Sequence, residues 1–109
     1  MMGKYDAINQ LDSNGNPSGG SANGVGVSIQ WQNGPLGRGT ERLIPNGAFV
    51  ETIIDIIRQR IEFYQTASAG KFACRENAIA ITKLEEALLW LEKRTRDREA
   101  RQVEGTHTA

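Results

Sequence analysis

The chain has 109 residues, 39% of them hydrophobic and 24% charged, with 13 basic against 13 acidic side chains, a length that admits one domain at most. Balanced charge speaks against long nucleic acid or an anionic membrane as partner, since both demand a large basic excess. No run approaches the roughly 18 apolar residues of a membrane span and no secretory leader pattern opens the chain, so a soluble intracellular protein is expected. One cysteine, Cys74, and one histidine, His107, cannot build an intrachain disulfide, a histidine-rich metal site or a nucleophile–base pair. The expectation is a protein without catalytic residues, metal or cofactor.

Residues 1–24 are rich in Gly, Asn and Ser, with Tyr5, Ile8 and Leu11 as the larger apolar residues, and composition reads them as a flexible lead-in. From Val25 to Gln32 the pattern has period two, with Val25, Val27, Ile29 and Trp31 on one face, which predicts a strand. The turn-rich segment Asn33–Gly39 and the short run Glu41–Ile44 complete an expected β-hairpin. Arg38 between two glycines reads as a solvated loop tip. Asn46 is placed as an N-cap, and Val50, Ile54, Ile57, Ile61 and Tyr64 recur at helical spacing, predicting a helix of about 20 residues that ends near Ala69-Gly70.

A second apolar row, Phe49, Ile53, Ile56 and Phe63, broken by Arg60, runs beside the first, so this helix carries more apolar surface than one partner element covers. The next helix is expected from Ala73 or Cys74 to about Arg101, with Ala80, Ile81, Leu84, Ala87, Leu88 and Leu91 on one stripe. The fold class is therefore α+β: a short antiparallel β-hairpin or sheet followed by a long antiparallel two-helix hairpin. Its boundaries are expected as lead-in 1–24, a single domain over 25–105 and a tail over 106–109. About 80 residues make a marginal core, and a homo-oligomer, a dimer at least, is the expected remedy.

The stripe of the second helix is the most informative feature. Extended backward at heptad spacing it reaches Asn77, and forward it reaches Thr95 and Arg98, so polar groups stand where the apolar face would continue. Fraying of helix ends explains this equally well until charge pairing is considered. Arg96 has Glu92 and Arg101 has Asp97 four residues before it, ordinary surface pairs, whereas neither Arg94 nor Arg98 has an acid at that spacing. Two guanidiniums one turn apart match a small dianion such as a pyrophosphate through bidentate charge-assisted hydrogen bonds. Phe63, Phe72 and Trp90 offer aromatic faces for a purine, against the commoner use of such rings in packing. Glu85 and Glu86 point about 100° apart on a helix and cannot act as an acid–base pair. Cys74 near a helix start beside Arg75 lacks the histidine a catalytic thiol needs.

The run from Cys74-Arg75-Glu76-Asn77 through Thr82-Lys83-Leu84-Glu85-Glu86-Ala87 to Arg94-Thr95-Arg96-Asp97-Arg98 and Val103-Glu104-Gly105-Thr106-His107 resembles the phage Thoeris anti-defence sponges. These share a helical hairpin with the phage anti-CBASS cyclic-nucleotide sponge. Ile29-Gln30-Trp31-Gln32-Asn33-Gly34 and Pro45-Asn46-Gly47-Ala48-Phe49 belong to the same resemblance, which covers nearly everything after residue 24.

The resemblance implies a non-catalytic protein in the cytoplasm of the infected bacterial host. It would sequester the immune messenger, a glycocyclic ADP-ribose isomer, and in some members a cyclic di- or trinucleotide at a distinct site. It further implies a sheet followed by two long helices, assembled as a dimer or as a hexamer of dimers. Carried over, the ligand-binding residues are Asn77, Arg94 and Arg98, with Phe63 or Phe72 stacking on the base, and Arg75 and Lys83 are assigned to a second, cyclic-oligonucleotide site. The competing readings are a helical protein-interaction module with no small-molecule ligand, a messenger hydrolase, and a binder of long nucleic acid through the locally +3 segment Lys93–Arg101.

Overall fold

A computed structural model describes residues 3–109. The order of elements is β1 (Tyr5–Leu11), β2 (Pro17–Gly24), β3 (Val27–Gln30), a 3-10 turn (Gly39–Glu41), α1 (Val50–Gly70) and α2 (Arg75–Ala100). The α+β expectation holds: a three-stranded antiparallel sheet in the order β1-β2-β3 precedes two helices. The chain divides into two compact units, a sheet unit that runs up to Phe49 and takes in Glu99–Ala109, and a helical unit, Val50–Arg98. No helix among the described residues is long and apolar enough to cross a membrane.

The sheet begins inside the segment that composition assigns to a lead-in. Tyr5 pairs with Gly24 and Asn9 with Gly20, and the register shifts at a bulge before Leu11 meets Pro17. The Gly/Ser-rich β2 is the central strand because glycine permits an approach that other residues forbid. A Cβ on Gly20 (φ +148°) would lie 2.1 Å from the Ile8 carbonyl oxygen, and Gly20 is the one buried residue among those described. The β1–β2 turn is built on Asp12, whose Oδ1 accepts from the Asn14 and Asn16 amides at 2.9 and 3.0 Å, with Gly15 at φ +79°. The Asn16 backbone hydrogen bond, the largest cause, holds the Asp12 carboxyl below its ordinary value of 3.8.

The expected strand Val25–Gln32 shortens to Val27–Gln30. Val25 and Gly26 form the two-residue turn, with Val25 fully exposed, while Ile29 and Trp31 stay half-buried. Glu41–Ile44 is not a return strand, because β3 finds its partner in β2, and the loop instead closes on itself through Leu43 N to the Leu36 carbonyl at 2.6 Å. Asn46 is not a helix cap either. It lies four residues before Val50 and clasps Asn33: the Asn33 amide donates to Asn46 Oδ1 at 2.8 Å, and Asn46 N donates to Gln32 Oε1 at 2.8 Å. The Trp31–Ala48 bridge, with Gln32 N to Ala48 O at 2.9 Å and Ala48 N to Gln30 O at 2.7 Å, joins the two short motifs that carried the resemblance.

The C-terminal residues are tied into the same unit. Arg42 donates from both terminal nitrogens to Glu104 (2.7 and 2.8 Å), and Gly37 N donates to the Gly105 carbonyl at 2.9 Å. The Glu104 hydrogen bonds raise the Arg42 pKa.

In the helical unit α1 is regular as far as Thr66, after which Ala67 is extended and Ser68 and Ala69 adopt left-handed backbone (φ 52° and 57°), with Gly70 at φ +83°. The less exposed residues of α1 include Ile54 and Ile61 of the expected row and Ile53 of the second, with Glu51, Arg58 and Gln65 beside them. Arg58, half-buried on this helix, satisfies its charge along its own helix, with Nε meeting Asp55 at 2.9 Å and Nη1 meeting Glu62 at 2.7 Å. Val50, Ile57 and Tyr64 of the expected row are exposed, as are Ile56 and Phe63. No described side chain is buried in the single chain.

Candidate ligand-binding site

Helix α2 runs unbroken for 26 residues, and its half-buried face follows the heptad spacing of its sequence. That face passes from Asn77 through Ile81, Leu84, Leu88 and Leu91 to Thr95 and Arg98. Asn77 is the third residue of the helix and Arg98 lies two before its last, so the polar ends of the stripe are helical, not frayed. Thr95 turns its hydroxyl back onto the Leu91 carbonyl at 3.2 Å. Arg94 projects one turn before Arg98 and is exposed. The cluster of arginines near the C-terminal end also suits the negative end of the helix dipole. Asp97 accepts from Lys93 Nζ at 2.9 Å, which compensates one acid of this segment without drawing on Arg94.

The other end of the stripe is set by the interhelical loop. Gln65 reaches across it: Cys74 N donates to Gln65 Oε1 at 2.9 Å, and Gln65 Nε2 donates to the Cys74 carbonyl at 3.0 Å. Cys74 Sγ then accepts from the Asn77 amide at 3.4 Å in the manner of an N-cap. The thiol therefore starts the helix and fixes the backbone of Asn77. The Asn77 side-chain amide makes no hydrogen bond among the described residues, which leaves its donor and acceptor available.

The two candidate stacking rings occupy different settings. Phe63, on α1, is half exposed, lies 5.9 Å from the Tyr64 ring centroid, and is covered by the Arg60 guanidinium at 5.1 Å. Phe72, in the loop, is 56% exposed with Lys71 Nζ 5.4 Å from its centroid. Trp90 is 65% exposed, on the outer side of α2. Arg75 opens α2 and is exposed, and Lys83 stands off the stripe with Glu86 at 3.8 Å. Among the described residues no group of three or more His, Cys, Asp and Glu side chains could hold a metal ion.

Phe72, Arg75 and Asn77 thus gather at the loop end, and Arg94 and Arg98 at the far end. Asn77 and Arg94 are 17 positions apart on one helix, about 25 Å at a rise of about 1.5 Å per residue. Such a distance exceeds the span of one cyclic dinucleotide, so one chain cannot place Asn77 and the arginine pair on the same small ligand.

Sequence reasoning missed Gln65 and the Arg42–Glu104 clasp. The spacing Asp55-x-x-Arg58-x-x-x-Glu62 is a visible signal for the ion pairs that hold Arg58 along α1. Gln65 had no local signal, because its partner is nine residues away across a turn.

The model of the Acb2/Tad1 hairpin domain matches residues 23–96. A protein described as Thoeris anti-defense 1, from Bacillus phage SBSphiJ7, is 55% identical over 81 residues, covering 74% of this chain. The chain spans about half, 52%, of the length of that curated relative. The matched residues contain all of α1, all of the α2 stripe up to Thr95, and the two clasped motifs of the sheet unit. The chain belongs to the Acb2/Tad1 hairpin-domain family.

Proposed function

We propose that the protein is a phage anti-Thoeris sponge that binds a cyclic ADP-ribose-type messenger without breaking a bond in it. The observation that carries this reading is the half-buried α2 stripe that ends in Asn77 on one side and Thr95 and Arg98 on the other. The Asn77 side-chain amide, with no hydrogen bond among the described residues, leaves a donor and an acceptor open to a polar ligand, and the arginines one turn apart at the other end offer it positive charge. Arg94 and Arg98 would grip the pyrophosphate, Asn77 would read an adenine edge or a ribose hydroxyl, and Phe63 or Phe72 would stack on the base. The relative's description as Thoeris anti-defense 1 supports the biological setting, which would be the cytoplasm of the infected host.

The separation of about 25 Å along α2 implies two copies. In an antiparallel pair of α2 helices, Asn77 of one copy comes level with Arg94 and Arg98 of a second copy, and twofold symmetry then makes two equal pockets. The absence of any buried side chain among the described residues, with Val50, Ile57 and Tyr64 exposed in a row, supports assembly as a dimer, with a hexamer built from dimers as its extension. Burying the ligand between copies would give the slow release that sequestration requires. Arg75 and Lys83 form the proposed second site for a cyclic oligonucleotide, which would extend the activity to CBASS messengers.

The same exposed row favours one other reading, a helical interaction module whose apolar face takes a different protein. One experiment separates them. Purified protein is incubated with ADP-ribose isomers and cyclic oligonucleotides, freed of unbound ligand and denatured by heat. Release of unaltered glycocyclic ADP-ribose is the expected result; a converted product would make the protein an enzyme, and no bound ligand would leave the interaction module.

A further inference from the structure

The side of α2 turned away from the messenger stripe carries a stripe of its own. Ile79, Lys83, Glu86, Trp90, Lys93 and Asp97 alternate at spacings of four and three, and all are exposed. Glu86 follows Leu84 of the inner stripe by two residues, about 200° round the helix, so the two stripes stand back to back. Trp90, at the middle of the outer one, is 65% exposed, with Leu89 beside it at 61%. A tryptophan and a leucine side by side among charges form an apolar anchor that the chain itself leaves uncovered.

The charges on either side of Trp90 select what can cover it. Along the chain they run positive Lys83, negative Glu86, then Trp90, then positive Lys93 and negative Asp97. A second copy of the helix laid parallel and in register would set each charge against its own sign. Laid antiparallel about Trp90, it sets each against the opposite sign. Glu86 comes level with Lys93 of the second copy, Lys83 with Asp97 of the second copy, and Trp90 with Trp90. Glu86 precedes Trp90 by four residues and Lys93 follows it by three, so the pair differs in height by only about 1.5 Å, and both residues lie to the same side of the stripe's midline. Twofold symmetry forms each pair twice. Within the chain Lys93 Nζ meets Asp97 Oδ2 at 2.9 Å, which holds both on the stripe, whereas Glu86 has Lys83 Nζ only at 3.8 Å and keeps acceptor capacity for a lysine of the second copy.

From this pattern we propose that the outer face of α2 is a self-association surface, on which a second copy packs antiparallel with Trp90 against Trp90 and Glu86 against Lys93. It lies opposite Asn77, Thr95 and Arg98 on the helix and stands whether or not that stripe holds a messenger. Lys83, given above to a second ligand site, flanks the contact and is left unaltered in the test. Sedimentation of the full chain over a dilution series reads the association, and circular dichroism checks that each variant keeps its helices. Glu86→Lys or Lys93→Glu sets like charges face to face twice and should weaken association by about tenfold or more. The double variant Glu86→Lys with Lys93→Glu makes every such pair opposite in sign again and should restore most of it. Trp90→Ala should weaken association by about tenfold or more as well. Unchanged association in either single reversal, no recovery in the double variant, or a wild-type chain that stays monomeric at every concentration would each overturn the proposal.

Discussion

Gln65→Ala removes both hydrogen bonds that tie Cys74 to the end of α1, at 2.9 and 3.0 Å. A neutral hydrogen bond contributes about 0.5–1.5 kcal/mol net. Cys74 is exposed and water competes for its amide, so the pair is worth about 1–2 kcal/mol at most. The clip also holds a loop with two non-glycine residues in left-handed backbone, Ser68 and Ala69, each costing roughly 1–2 kcal/mol. Without Gln65 that loop should relax first. The expected result is a fall in melting temperature of several degrees, at about 4–8 °C per kcal/mol for a domain of this size, with faster amide exchange at Cys74 and Asn77. Adding Ala69→Gly, which removes the cost of a Cβ at positive φ, should restore part of the loss. An unchanged melting temperature together with unchanged exchange at Cys74 would refute the role given to the clip, and an Ala69→Gly change that lowers stability further would refute the strain argument.

Cys74→Ser replaces a weak sulfur acceptor of the Asn77 amide with a preferred N-cap oxygen; stability should rise by about 0.5–1 kcal/mol in urea melts with ligand binding intact, and lost binding would give the thiol a direct role. Glu104→Gln breaks the bidentate pair with Arg42, so amide exchange at Gly37, whose partner is the Gly105 carbonyl, should quicken; exchange at the wild-type rate would show that the backbone bond alone holds the tail. Asp12 has a folded pKa below its ordinary 3.8, so its stabilising effect on the β1–β2 turn is present above the unfolded value and is lost as pH falls through the folded one. The Asn14 and Asn16 amide resonances should therefore titrate with a midpoint below 3.8, and a midpoint at or above it would contradict the turn geometry. Ile57→Glu places a charge in the exposed row of α1 and should shift sedimentation toward the monomer while helical circular dichroism persists; an unmoved sedimentation coefficient would place the interface elsewhere.

The helical unit was largely legible because its sequence carries a long periodic signal. The α2 stripe from Asn77 to Arg98 emerged from spacing and reappears as the half-buried face. The row in α1 is legible at Ile54 and Ile61, while Ile57 and Tyr64 are exposed and their neighbours Arg58 and Gln65 are the half-buried ones, Arg58 with its charge satisfied along its own helix by Asp55 and Glu62. The sheet was legible only in β3. In β1 and β2 the Gly and Ser content points to a flexible segment, whereas the Asn14-Gly15 pair between Tyr5–Leu11 and Pro17–Gly24 is a hairpin signal. Glycine at Gly20 serves a close backbone approach that only the paired strand reveals. The clasp of Asn46 on Asn33 is a contact across 13 residues, invisible to any local window, although both motifs had been singled out through the resemblance.

In the proposed site, Asn77 of one copy and Arg98 of a second copy hold one messenger. Asn77→Ala and Arg98→Ala should each abolish binding of glycocyclic ADP-ribose, measured by calorimetry, while the assembly remains folded. Mixing the two variants after dissociation and reassembly shows whether the two residues of one pocket come from different copies. A heterodimer of Asn77→Ala with Arg98→Ala has one pocket with both substitutions and one with neither, so roughly a quarter of all pockets should regain wild-type affinity under random twofold pairing. Recovery of that fraction is the predicted result. No recovery in a mixture shown to contain heterodimers, or full binding by either variant alone, would contradict it.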